Sequence, residues 1–142
     1  MKNIIYVYIL LIGASAYSYG QCDSKKQTLE CAPRLAEGYT FIKGFELDRK
    51  RGINGVVEYS YVFTKGAKYM INICGDQGIE GLVFTIYDNA RNKVASNELN
   101  GKSVRGIAYP CTSTGLYYII YSFEKSASTC GGSAIGFKLR SS

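Results

Sequence analysis

The sequence predicts an all-β protein: an antiparallel two-sheet β-sandwich of jelly-roll type, with about eight strands and a disulfide staple. Three observations predict it. From Tyr39 onward, apolar and polar residues alternate with period two. The alternating runs are short and are separated by Gly, Asn, Asp and Ser, the residues that close turns. Each run has one apolar face, as strands do in sheets that bury one side and wet the other. A closed barrel is the competing architecture.

Before the strands comes MKNIIYVYILLIGASAYSYG, with one charge at Lys2, an apolar stretch and small residues ahead of Gln21. This is the layout of a secretory signal peptide over 1–20, cleaved before Gln21 or, alternatively, after Ala16. A lipoprotein signal would place a small residue before the modified cysteine, whereas Gln21 precedes Cys22. No later segment approaches the roughly 20 apolar residues of a membrane helix, so no transmembrane segment is expected. The mature protein is expected to be exported to the periplasm, the outer-membrane surface or the medium.

Residues 21–38 lack alternation and read as an ordered leader. A short helix fits from Ser24 and would be broken by Pro33. The sandwich domain, 39–142, then runs through YTFIKGFELD, with Tyr39, Phe41, Phe45 and Leu47 on one face, and VVEYSYVF, with Val57, Tyr59, Tyr61 and Phe63 on one face. AKYMINIC follows with Tyr69, Ile71 and Ile73, then LVFTIYD with Leu82, Phe84 and Ile86. A short KVAS (93–96) precedes SVRGIAYP (103–110). In LYYIIYSF (116–123), Tyr117, Ile119, Tyr121 and Phe123 share the core parity. The last strand, AIGFKLR (134–140), is entered through a turn at Gly131 and Gly132 and presents Ile135, Phe137 and Leu139.

The five cysteines all follow the expected cleavage point, and export makes disulfides the default. Alternating strand directions place Cys74 and Cys130 at one pole, and Cys111 at the other with the leader. This predicts Cys74–Cys130, with Cys111 joined to Cys31 or Cys22. A local Cys22–Cys31 loop is the rival.

Histidine is absent, which removes Ser-His and Cys-His nucleophile pairs and His-ligated zinc. The 11 acidic residues form no evident acid/base pair, and tryptophan, common in sugar subsites, is also absent. TCGGSAIG (129–136) does not fit a nucleophile elbow. Asp88, Asn89, Asn92 and nearby Asn97 offer oxygens for calcium but a single carboxylate, so they and Asp76 read as turn residues. Arg49-Lys50-Arg51 reads as a solvated loop tip in a chain of net charge +6, and nucleic acid is not an expected partner. No enzyme activity, metal or cofactor is expected. The candidate binding residues are Tyr87, Tyr109 and Tyr118, whose parity opposes the main apolar rows; exposed tyrosines anchor partner proteins or stack on sugars.

VFTKGAKYMINICG, LVFTIYDNARNKVASN and GIAYPCTSTGLYYIIYSF, taken in that order, resemble the bacterial pre-peptidase C-terminal (PPC-type) β-sandwich. The paired NIC and YPC segments and the terminal Cys-Gly strand resemble small exported envelope proteins of Bacteroidota. The resemblance covers turns and core positions over roughly 56–139, and so it implies a fold more than an activity. It implies a noncatalytic module of the cell envelope or of secreted proteins. The partner expected for the candidate tyrosines is an envelope or surface protein, with a glycan as the alternative.

Overall fold

A computed structural model describes residues 21–139; the expected signal peptide lies outside them. Strands β1 (Thr40–Asp48), β2 (Val56–Phe63), β3 (Ala67–Gly75), β4 (Val83–Tyr87) and β5 (Lys93–Ser96) are followed by the two-residue β6 (Glu98–Leu99) and β7 (Lys102–Ser103). Then come β8 (Gly106–Pro110), β9 (Gly115–Ser122) and β10 (Cys130–Leu139). One four-stranded sheet has the order β1-β10-β3-β8, the other β2-β9-β4-β5, and every pairing within them is antiparallel. The expected strand at 103–110 is divided, because Ser103 ends the small β6–β7 hairpin and β8 begins at Gly106.

The core lies between the sheets and is filled by the alternate residues that the period-two pattern singles out. Phe45, Leu47, Tyr69, Ile71, Ile73 and Ile135 come from the first sheet; Phe63, Phe84, Ile86, Tyr117, Ile119 and Tyr121 come from the second. Each such side chain contributes about 1.5–3 kcal/mol by leaving water. Phe63 stacks between Tyr69 and Tyr117, with ring centroids 4.0 and 4.8 Å away. The Tyr121 hydroxyl is wholly buried and hydrogen-bonds the Ser133 hydroxyl at 2.6 Å, which accounts for a serine inside β10.

Three expected core residues lie outside it: Tyr39, whose ring centroid lies 4.7 Å from the Lys138 ammonium, Phe41 and Leu139. The register of β1 against β10 shifts between Phe41 and Lys43, so Phe41 is exposed while Ile42 packs against the core. Leu139, at the last described position of β10, is also exposed.

The leader adds a third layer. Its helix α1 (Ser24–Cys31) is capped by Asp23, whose carboxylate accepts the Lys26 N–H at 3.1 Å, and Pro33 falls in the tight turn that follows. The helix lies on the outer face of the first sheet, which is why β10 carries small residues there. A Cβ at Gly132 would overlap the backbone of Thr28, one at Gly44 would press on the Thr28 methyl, and one at Gly136 would press on Leu35. Gly131 and Gly132 are therefore not a turn into the last strand but part of it, and Gly132 is the seat of the helix.

The disulfides follow from this layer. They join Cys22 to Cys130 and Cys31 to Cys74, with Cα separations of 5.8 and 5.7 Å, in place of the expected Cys74–Cys130 and Cys111–Cys31. Cys74 lies opposite Gly132 in the register, so it and Cys130 both have the parity of the outer face. The leader crosses that face and supplies a partner to each. Strand counting put the leader's cysteines at the opposite pole and so missed both bonds. Cys111 is free and buried, its thiol donating to the Ser113 carbonyl at 3.2 Å.

Candidate functional site

The three candidate tyrosines separate into two groups. Tyr118 of β9 lies between Ser60 of β2 and Tyr87 of β4, so Tyr87 and Tyr118 are neighbours on the outer face of the second sheet. The adjacent outward pair toward the β9 start is Val62–Leu116, 56% and 39% exposed, and Ile120 and Val83 continue the apolar face on the other side. Tyr109 does not belong here. Its register partner is Tyr69, which turns it inward, where its ring lies 6.3 Å from Phe63 and 5.9 Å from Tyr117. It lines a cavity of about 120 Å³ at the sandwich pole with Asp88, Thr112 and Tyr117.

One residue that sequence reasoning passed over organises the outer face. Arg91, in the β4–β5 turn, lies with its guanidinium 3.7 Å from the Tyr118 ring centroid and forms a bidentate pair with Glu58 at 3.0 and 3.1 Å. The Glu58 hydrogen bonds raise the pKa of Arg91. The turn that delivers Arg91 is built by Asp88, whose carboxylate accepts the N–H groups of Ala90 and Asn92, each at 2.9 Å. Arg91 itself has a positive φ of 64°, a left-handed geometry that the sequence did not disclose.

The remaining polar candidates have structural employment. Asn97 is fully buried: its Oδ1 accepts the Phe84 N–H at 2.7 Å, and its amide donates to the carbonyls of Leu82 and Val104 at 3.1 and 3.0 Å. Asp76 accepts from the Thr129 N–H and hydroxyl at 2.9 and 3.0 Å. Among the described residues, the cluster with metal-ligand spacing is Cys22, Asp76 and Cys130, but its two sulfurs are bonded to each other. Arg49-Lys50-Arg51 forms an exposed single turn capped by Asp48.

A second surface lies along the open side of the sandwich, between the edges β1 and β2. A groove of about 710 Å³ is lined by Lys25 and Leu29 of α1, Lys43 and Glu46 of β1, and Glu58 and Tyr59 of β2. Its floor is the Phe45–Tyr59 stack, 4.5 Å between centroids. Beyond Tyr59 a further hollow of about 570 Å³ continues toward Arg51 and Ile53. Among the described residues no helix is long and apolar enough to cross a membrane.

No protein-family model matches the chain, and no curated protein matches it. Among solved structures, one that is similar is the pre-peptidase C-terminal domain of a collagenase from Bacillus anthracis, the type the sequence resembles. It is 18% identical over 70% of this chain and 89% of that chain, with a TM-score of 0.45. Another is PliG from Aeromonas hydrophila, a periplasmic inhibitor of g-type lysozyme, 12% identical over 75% of this chain and 92% of that one, with a TM-score of 0.43.

Proposed function

We propose that this protein is a noncatalytic, exported binding module of the cell envelope, an accessory subunit that contacts another envelope or surface protein through the outer face of its second sheet. The observation that carries the reading is the row Val62, Leu116, Tyr118 and Tyr87, apolar and aromatic side chains on contiguous positions of three strands. Such a patch is larger than the isolated exposed side chains that any soluble protein has. Tyrosine and arginine at its centre are residue types that dominate the energetics of protein interfaces.

A carbohydrate-binding module is the competing reading, favoured by the adjacency of Tyr87 and Tyr118. Arg91 counts against it, since the guanidinium already occupies the Tyr118 ring face on which a sugar would stack. The periplasmic, outer-membrane-associated or extracellular location rests on the signal-like first twenty residues and on the two disulfides.

Affinity isolation of the tagged mature protein from its native envelope tests the reading, with Leu116→Asp as the comparison. A discrete protein recovered with the wild type and lost with the variant supports it. Recovery of nothing but the bait, or equal recovery with both, counts against it.

A further inference from the structure

We propose that the free edge of β2 docks an extended segment of a partner polypeptide, which adds to the second sheet as a fifth strand and places an acidic side chain in the groove beside Lys25 and Lys43. The inference deepens the protein-binding reading and rests on it, but it concerns the strand edge rather than the flat face.

Hydrogen-bond directions show that the edge is open. On the β9 side, the Phe123 N–H donates to the Gly55 carbonyl at 2.8 Å. On the opposite side, Val56 exchanges bonds of 2.9 and 3.0 Å with Ile53. Backbone groups in an antiparallel ladder alternate in direction residue by residue. Val57, Tyr59, Tyr61 and Phe63 therefore face β9, whereas Glu58, Ser60 and Val62 point their N–H and C=O groups away from the sheet. Among the described residues nothing accepts from or donates to those outward groups.

The other three edges are obstructed in ways that proteins use to prevent strand addition. β1 carries the shift at Phe41/Lys43, and the outward-facing carbonyl of Glu46 is taken by the Tyr59 hydroxyl at 2.6 Å. β5 has four residues and a register shift against β4. β8 has five residues and ends at Pro110. β2 is eight residues long and pairs with β9 in unbroken register. Its one edge charge, Glu58, is drawn onto the sheet face by Arg91.

The groove supplies the specificity. Alternate side chains of an added strand would share the face of Tyr59 and Tyr61 and enter the hollow above the Phe45–Tyr59 stack. Among the described residues Lys25 and Lys43 have no carboxylate within 4.0 Å; of the two glutamates lining the groove, Glu58 is already paired and Glu46 has the parity of Gly44, on the helix-bearing outer face of the first sheet. A carboxylate directed inward meets those lysines; one directed outward meets Glu58.

The test is selection of random twelve-residue peptides on the tagged mature protein, followed by binding and amide exchange. The expected pool alternates apolar and polar residues and carries an inward acidic position. Bound peptide slows exchange of the Ser60 and Val62 amides. Ser60→Pro removes an outward N–H and leaves the β2–β9 ladder intact; it is expected to weaken peptide binding about tenfold, the worth of one hydrogen bond. Lys43→Glu weakens it as well, and Leu116→Asp does not. The proposal is overturned if no peptide is enriched, if a folded Ser60→Pro binds equally, or if the Ser60 and Val62 amides exchange at the unbound rate. It is also overturned if the protein alone is a dimer with those amides protected, which assigns the edge to a second copy. Because no envelope component is present, these outcomes are separable from the envelope isolation; the exchange readout stands even if Ser60→Pro fails to fold.

Discussion

The guanidinium of Arg91 lies 3.7 Å from the ring centroid of Tyr118 and covers it, while both its terminal nitrogens hold Glu58. Three strands of the second sheet are thus clasped on their outer face by a residue delivered from a turn. The clasp decides which ligand chemistry that face can offer: apolar edges and one held ion pair, with the Tyr118 ring plane closed.

Replacing Arg91 by Ala is expected to open that plane. The protein should remain folded, because the pair is exposed and exposed ion pairs contribute little to stability. Retention on insoluble glycans should stay at background for the wild type and rise only for Arg91→Ala. Wild-type retention that is lost on changing Tyr87 and Tyr118 to Ala, with the fold intact, would establish the carbohydrate reading instead.

Gly132→Ala tests the seating of the helix. The added methyl meets the Thr28 backbone, so α1 must lift or β10 must bend. Overpacking of this kind costs about 1–3 kcal/mol. Denaturant unfolding should show the loss, and amide exchange should rise over Ser24–Cys31 before it rises in the sheets. Unchanged stability would place the helix elsewhere.

Peptide mapping without reduction is expected to recover Cys22 with Cys130 and Cys31 with Cys74, and to find Cys111 alkylated only after unfolding. Replacing Cys31 and Cys74 together by Ser opens a link that spans 43 residues of sequence. The chain-entropy model assigns such a link about 4 kcal/mol, reduced by any strain or residual structure in the unfolded chain. Recovery of Cys74 with Cys130 would instead support the pairing reached by strand counting.

Stability should fall in alkali. Burial raises the phenol of Tyr121, with the Ser133 hydrogen bond pulling it partly back. Burial also raises Tyr117, aided by its hydrogen bonds with Cys111 and Tyr109, and raises Tyr59. A raised phenol keeps its proton in the folded state where the unfolded chain releases it, above about pH 10. The contribution is therefore complete below that pH and is lost as pH climbs toward the folded values. Urea midpoints measured from about pH 9 to about pH 12 should decline, and less steeply in Tyr121→Phe. A flat profile would mean that these hydroxyls are wetter than the packing shows.

Strand positions were legible because burial on one side of a sheet writes itself into period-two alternation: Val56–Phe63 and Lys93–Ser96 coincide with their sequence-based ranges. The same logic placed Tyr117, Ile119, Tyr121 and Phe123 in the core. It failed where a backbone irregularity changes the parity, as at Phe41, and where a strand's inward face depends on its neighbour, as for Tyr109 opposite Tyr69. The third layer was hidden for a different reason. Nothing local in Gly132 or Gly136 says that a helix about a hundred positions earlier in the chain will rest on β10, although alternating small residues in CGGSAIG were its trace. Arg91 was equally silent, since its role depends on a left-handed turn and on Glu58, which lies 33 residues away in sequence.

The most direct test of the central claim is site-specific photo-crosslinking in the native envelope, with the crosslinker placed at Leu116 on the proposed face and, separately, at Lys102 in the β6–β7 hairpin. The account predicts one discrete protein adduct from position 116 and none from position 102. No adduct from 116, or the same adduct from both positions, would contradict it.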